Sequence, residues 1–431
     1  MRAVPERILL GQRFAYYRKG LAPSTKQTLK IKYNDTMGNV FVNSLSTKSD
    51  SFGRLHIPAE QISNLISTSN PEKPSAAFIL KEFESTQMEF ILDDVSETVT
   101  VESGLQSGEI IKEEWRGEFV GNLFYPSKEG KFPVIVHING GINHIQDSRS
   151  TMLAREGYCV LELAYNVQEY GQPVLFTRKD FPLEHVENAI IKILKHERAY
   201  GDRVVLMGQC KGTDIATAFG SLRPDLVEFV IAQAGPTQLP VATETSYRGN
   251  RWEGMEINYL QAEELMKLTK FFSFPKDEND VFRLKYGSFL ALKGDHGPLF
   301  LEDNQEDGKF LLNEKSARSI KDKAFPVDQM NKMFFFSTLN DPTMAPNSEL
   351  AMETTEYFLG DKNNVEIEFI HSGHLAVTPE IPVVEKSVMN FAGLKCEMKW
   401  SSNSTNEDRI KETNEHRRVY KKITEILKAN F

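Results

Sequence analysis

The sequence predicts an α/β protein whose parallel sheet is preceded by a separate all-β unit. Three observations carry that prediction. From residue 115 onward, short apolar runs alternate with stretches of helical periodicity, the pattern of a parallel sheet covered by helices. Between Val204 and Phe219, a strand, a glycine-flanked turn and a helix follow one another around Cys210. Up to residue 114, alternating strands recur at roughly ten-residue spacing with polar turns between them, which suggests a small β-sandwich. The expected division is therefore 1–114 and 115–431.

Composition sets the outer limits. A chain of 431 residues is long enough for two or three domains. Its 40% hydrophobic and 26% charged residues describe an ordinary globular protein. A formal net charge of -9 argues against general nucleic-acid binding, which needs a basic footprint. Cys159, Cys210 and Cys396 make neither a disulfide framework nor a zinc pattern. A reducing compartment follows, and the cytoplasm is the expected location. The peroxisome is the alternative, although Ala429-Asn430-Phe431 departs from the usual targeting tripeptide. Ile8-Leu9-Leu10 is too short for a signal-peptide core, and no apolar stretch is long enough for a membrane span.

In the first unit, Thr28–Tyr33 alternates, Asn34 to Asn39 carries turn chemistry, and Val40-Phe41-Val42 resumes a strand. Arg54–Ile57, Ala76–Phe83, Met88–Leu92 and Glu97–Glu102 are further strand candidates, while Pro58–Pro74 fits a short helix or an irregular loop. In the second unit, Trp115–Pro126 looks like a hairpin strand, and Phe132–Ile138 is an apolar strand that ends in Asn139-Gly140-Gly141. Ser148–Glu156 is helical, Tyr158–Tyr165 is a strand, and Pro182–Ala199 is a helix with Val186, Ala189, Ile190, Ile193 and Leu194 on one face. Val227–Ala234 and Met333–Ser337 are buried strands. Gly235–Asp328 has no long regular pattern, and Glu302–Glu314 reads as an acidic surface loop. Glu349–Phe358 is a helix with Ser348 as its N-cap, and the alternation of Val365–Ile370 suits an edge strand. Ser401–Asp408 reads as polar and flexible, and Glu415–Ala429 as an amphipathic helix.

The chemistry centres on Gly208-Gln209-Cys210-Lys211-Gly212, a nucleophile elbow with cysteine where serine is commoner. The glycines leave room for neighbouring backbone around a strained central residue. The helix that follows directs free N–H groups and the positive end of its dipole at the sulfur. With Lys211 adjacent, these should depress a free thiol pKa of about 8.5. Downstream, Asp341 and His374 each follow a strand, which completes the chain order nucleophile, acid, histidine of an α/β hydrolase. Asp361 is a weaker candidate for the acid, and His371 competes with His374 for the base. His137 and His144 precede the nucleophile and read as structural or substrate-facing.

These stretches resemble the family of acyl-CoA thioesterases and bile acid-CoA:amino acid N-acyltransferase. Gly20 to Pro23, Trp115–Pro126, Phe132–Gly141, Leu161–Tyr165, Gly208–Gly212 and Ser372-Gly373-His374 carry the likeness. The resemblance implies an immunoglobulin-like β-sandwich followed by an α/β-hydrolase domain, with Cys210 as nucleophile, Asp341 as acid and His374 as base. Backbone N–H groups of Lys211 and of Gly140-Gly141 would then hold the oxyanion. It also implies an acyl-CoA substrate, with water or an amino acid such as glycine or taurine as acceptor, hydrolysis being placed ahead of conjugation. The interval from Cys210 to Asp341 is longer than usual for the family. Arg248 and Arg251, beside Tyr247 and Trp252, are candidates for the CoA phosphates. No P-loop, dinucleotide fingerprint or metal pattern occurs, so no cofactor beyond the substrate's own CoA is expected. A dienelactone-hydrolase-like ester hydrolase and a non-catalytic binding protein are the competing expectations.

Overall fold

The protein is described from a computed structural model, which covers residues 2–73, 78, 80, 83–140, 147–164, 180–234, 244–252, 272–273, 282–284, 293–294, 297–298, 300–302, 310–322, 327–342, 345, 347–360, 363–374, 378–391, 394–399 and 401–431. The strict alternation of Lys26–Asn34 turns Leu29, Ile31 and Tyr33 inward and leaves Lys30 and Lys32 exposed. This strand lies inside a six-stranded sheet ordered Arg7–Leu9, Val95–Glu102, Ser85–Leu92, Lys26–Asn34, Val40–Lys48 and Asn70–Pro71. The pairings are antiparallel except the first, which is parallel.

A second layer faces the sheet. It consists of the ribbon Tyr16–Arg18 with Leu55–Ile57 and a helix at Ala59–Ser67. Tyr16, Leu55, Ile57, Ile62, Leu65 and Ile66 join Leu29, Ile31 and Phe90 in one core. Pro58–Pro74, which fitted helix or loop, thus contains a helix whose apolar residues fall on one side. The Ala76–Phe83 candidate lies largely outside the described residues.

The second unit is built on an eight-stranded sheet. Its spatial order is Ile110–Arg116, Val120–Pro126, Cys159–Ala164, Phe132–Ile138, Ala199–Gln209, Val227–Gln233, Met333–Thr338 and Val365–Ile370. Only Val120–Pro126 runs antiparallel to its neighbours. This order and this single reversal are those of an α/β hydrolase, so the architecture is an α/β-hydrolase domain preceded by an immunoglobulin-like β-sandwich. The expected division at 114 and 115 falls inside the strand Ile110–Arg116, which belongs to the second sheet.

Both faces of the elbow strand, Ala199–Gln209, are covered. Val204 and Leu206 pack with Val186, Ala189, Ile190 and Ile193 of the helix Glu184–Leu194. Val205 and Met207 face the opposite layer, with Leu153 of the helix Asp147–Arg155 and Val419, Ile423 and Leu427 of the helix Asn406–Asn430. Full burial of one such aliphatic side chain contributes about 1.5–3 kcal/mol, which is why the elbow strand is rigid enough to carry a strained turn.

Three expectations change. The final helix begins at Asn406, capped by Thr405, whose side chain accepts from Asp408 N at 3.1 Å. Ser401–Asp408 is therefore part helix, and Ser401 and Asn403 are buried. The N-cap of Ser348–Leu359 is Asn347, which accepts from Leu350 N at 2.8 Å; Ser348 instead bonds Leu339 O. Within Gly235–Asp328, the described residues include several two- to four-residue strands and a helix at Glu314–Asp322.

The long helix Asn406–Asn430 also touches the sandwich. Arg409 donates to Ser69 O at 2.6 Å and to Asn70 Oδ1 at 2.9 Å, and Arg417 bonds Ser63 and Glu380. Among the described residues, no helix is long and apolar enough to cross a membrane.

Candidate active site

Cys210 stands where the elbow strand meets the helix Lys211–Leu222, at φ 53° and ψ -125°. Positive φ is costly for a residue with a side chain, and the close packing around Gly140, Gly208 and Gly212 holds it. A Cβ on Gly212 would overlap the backbone of Ile138 and Asn139, and one on Gly208 would lie 2.6 Å from Thr213 Cα. Both flanking positions therefore require glycine. Cys210 N donates to Gln233 O at 3.0 Å, which ties the turn to the next strand.

Asp341 follows Met333–Thr338, and His374 follows Val365–Ile370. Both are buried, and His374 Nδ1 lies 2.8 Å from Asp341 Oδ2. Thr338 Oγ1 donates to the same carboxyl oxygen at 2.9 Å. The same imidazole interacts with Cys210 by charge and by a side-chain hydrogen bond. Burial alone would lower the His374 pKa, but the charges of Asp341 and Cys210 and their hydrogen bonds outweigh it, so it lies well above the usual histidine value. His371 is exposed, and Asp361 lies outside the described residues.

Gly140 follows the strand Phe132–Ile138 and lies against Cys210: a Cβ there would come 2.6 Å from Cys210 Cβ and 3.1 Å from its Sγ. Lys211 opens the elbow helix and is buried. Gly141 and His144 are outside the described residues. Cysteine, imidazole and carboxylate in this order, beside a glycine loop and a helix N-terminus, can perform nucleophilic acyl transfer.

Residues 181–401 match the family model described as BAAT / Acyl-CoA thioester hydrolase C terminal. The chain belongs to this family. It is 26% identical to mouse acyl-coenzyme A thioesterase 6 over 230 residues, covering 48% of this chain and 54% of that protein. It is 28% identical to human bile acid-CoA:amino acid N-acyltransferase over 134 residues, 31% of each. The chain thus spans about half or less of the length of these two relatives. Among solved structures, acylaminoacyl peptidase from Pyrococcus horikoshii aligns over 79% of this chain and 49% of that chain, at 13% identity and a TM-score of 0.34.

A buried polar network lies beneath this family site, and the sequence did not reveal it. Arg149 donates to Gln233 Oε1 at 2.6 Å and to Gln209 Oε1 at 3.2 Å, and it lies 3.3 Å from His137 Nε2. His137 Nδ1 meets Glu162 Oε2 at 2.5 Å, and Ser150 and Asn139 donate to the same carboxylate. Burial lowers the Arg149 pKa to about 9, against the opposing charge of Glu162. His137 is therefore structural, as one of its two expected roles had it. Gln209 and Gln233 flank the turn at Cys210, so the network braces it from below.

Asp214, in the first turn of the elbow helix, is buried, and among the described residues neither carboxyl oxygen has a hydrogen-bond partner. Burial raises its pKa well above the carboxylate range, Lys211 opposing and Cys210 adding to the shift. Arg248 N donates to Glu184 at 2.5 Å, and its guanidinium donates to Glu187 at 2.9 Å. Arg251 lies in the strand Asn250–Trp252. Among the described residues, no cluster of histidine, cysteine and carboxylate side chains could hold a metal.

Proposed function

We propose that the chain is an acyl-CoA thioester hydrolase that works through an acyl-cysteine on Cys210, with His374 as base and Asp341 orienting it. The observation that carries this reading is the hydrogen-bonded series from Asp341 through His374 to Cys210 at the C-terminal edge of the sheet. Family membership supports an acyl-CoA as the substrate class.

In the first step the Cys210 thiolate adds to the thioester carbonyl carbon, and the carbonyl electron pair moves to oxygen. Backbone N–H groups of Lys211 and of the Gly140-Gly141 loop donate to that oxyanion, each contributing about 3 kcal/mol at the transition state. Collapse breaks the carbon–sulfur bond to CoA, whose thiolate takes the proton from His374. His374 then removes a proton from water, the hydroxide adds to the acyl-cysteine, and collapse releases the carboxylic acid and regenerates the Cys210 thiolate.

A second reading, conjugation to glycine or taurine, is favoured by cysteine at the elbow. An acyl-cysteine is a thioester with a good leaving group, and an amine attacks it more readily than an oxygen ester. The likeness to bile acid-CoA:amino acid N-acyltransferase supports this alternative. Contact of Arg248 and Arg251 with the CoA phosphates is part of the proposal only if phosphate displaces Glu187 from Arg248. A cytoplasmic setting, which keeps Cys210 reduced, completes it.

Mass spectrometry of products from a panel of acyl-CoAs, with and without glycine and taurine, tests the reading. Free acid in every reaction supports hydrolysis, and acyl-amino acid supports conjugation. Cys210→Ala should form no acyl-enzyme on the peptide that carries residue 210. An undiminished burst of CoA release from that variant would refute the assignment.

A further inference from the structure

We propose that Glu412 is the positioning residue of this site: a buried carboxylate on the long helix that fixes the His374 loop and the Asp341 loop to one point. The proposal rests on reading His374 as the base.

Glu412 is 2% exposed and lies between two loops that follow adjacent strands. The backbone N–H of Gly373, the residue immediately before His374, donates to Glu412 Oε1 at 2.8 Å. Ser372 Oγ lies 3.4 Å from the same oxygen and 2.9 Å from His416 Nε2, one turn further along the helix. Glu412 Oε2 accepts from Ser401 Oγ at 2.8 Å and from Asn403 Nδ2 at 2.7 Å. Asn403 Oδ1 in turn accepts from Asn340 Nδ2 at 2.9 Å, and Asn340 immediately precedes Asp341. Asn340 N closes the circuit on Ser372 O at 3.1 Å. One carboxylate therefore holds the neighbour of the base directly and the neighbour of the acid through a single side chain.

The arrangement is costly for packing alone. A buried carboxylate carries a desolvation penalty that an apolar side chain at the same helical position avoids. Burial pushes the Glu412 pKa up, but the nearby His416 side chain, 3.7 Å away, and hydrogen bonds from Asn403 and Gly373 bring it below its ordinary value, so the group stays ionised. Gly373 adjoins His374, Asn403 bonds the residue before Asp341, and His416 bonds Ser372, two residues before the base. The imidazole must meet the thiol and the carboxyl at the same time, and Glu412 sets the backbone from which it projects.

The test compares full-length wild type, Glu412→Ala, Glu412→Gln and His374→Ala. Turnover is measured on whichever acyl-CoA of the panel reacts fastest, and alkylation of Cys210 by iodoacetamide is followed against pH by peptide mass spectrometry. Glu412→Ala should lower kcat about 100-fold, the cost of a misplacement near 1 Å, while KM stays within about twofold. Its alkylation profile should shift to higher pH, toward that of His374→Ala. Glutamine keeps an acceptor for Gly373 N but turns a donor toward Asn403 Nδ2, so it should restore the wild-type profile and only part of kcat.

Wild-type turnover and profile in Glu412→Ala would overturn the proposal. Equal losses in the Ala and Gln variants with an unmoved profile would overturn it too, because a merely structural role predicts that. If Glu412→Ala loses its native circular dichroism, a folded Glu412→Gln decides: a wild-type profile supports the proposal and a His374→Ala-like profile refutes it. Full activity in His374→Ala would refute the triad itself, a result separable from any behaviour of Glu412.

Discussion

Two of the protein's cysteines differ in what surrounds them, and so in what they can do. Cys159 lies in the sheet core, where burial pushes its thiol to about 12. Cys210 is hydrogen-bonded to a histidine held cationic above its usual range. An imidazolium beside a thiol favours the thiolate, so Cys210 should be alkylated by iodoacetamide at neutral pH and Cys159 should not. His374→Ala should move the alkylation midpoint of Cys210 upward by about one pH unit or more, read from peptide masses across a pH series. Asp214 makes a second residue-scale prediction. Its folded pKa is raised, so the folded state holds the proton more tightly than the unfolded chain. Stability is then lost as pH rises from about 4 through the folded pKa. Asp214→Asn removes that loss. The variant's melting temperature should equal or exceed that of wild type, and the difference should be larger at pH 8 than at pH 4.

The elements explain why part of the site was legible. A nucleophile elbow is a local requirement: the close approach of Ile138 and Thr213 demands glycine at positions 212 and 208 whatever the rest of the chain does. The loop after Phe132–Ile138 imposes the same kind of demand at Gly140. Gly140→Ala would press a methyl group on Cys210 and displace the sulfur. It should reduce kcat about 100-fold with a much smaller effect on thermal unfolding, checked by steady-state kinetics beside calorimetry. The strands were legible because two-residue alternation and short apolar runs encode burial directly. Asp341 and His374 were legible because each follows such a strand. Arg149, Glu162 and Glu412 were not, since each sits inside an element and acquires its meaning only from partners brought by the fold. Arg149 and Gln233 are 84 residues apart, and Glu412 and Gly373 are 39 apart. The polarity of Ser401–Asp408 read as solvated because composition cannot distinguish donors that face water from donors that face a buried carboxylate.

Across the whole molecule, the long helix joins the sandwich to the eight-stranded sheet. Arg409 donates to Ser69 O and Asn70 Oδ1 on one side and to Val383 O on the other. Arg409→Ala removes that donor from the buried carbonyls of Ser69 and Val383, at about 1–3 kcal/mol for each group left unsatisfied. Its melting temperature and its turnover should fall together, because Glu412 is one turn along the same helix. Arg409→Lys should not rescue either, since lysine cannot place donors in the fork that the guanidinium provides. The same helix has a consequence for the route by which the chain reaches its native state. Arg409 and Ser69 are separated by 340 residues, and Gln209 and the His374 carbonyl by 165. Contacts of such span form slowly, because the intervening chain must lose its freedom before they reward it. The sheet and sandwich can collapse with the long helix still undocked, giving a compact species in which the imidazole has no fixed place. On dilution from denaturant, far-ultraviolet circular dichroism should recover first and turnover of the reactive acyl-CoA afterwards, with the interval between them measuring the time the helix takes to arrive.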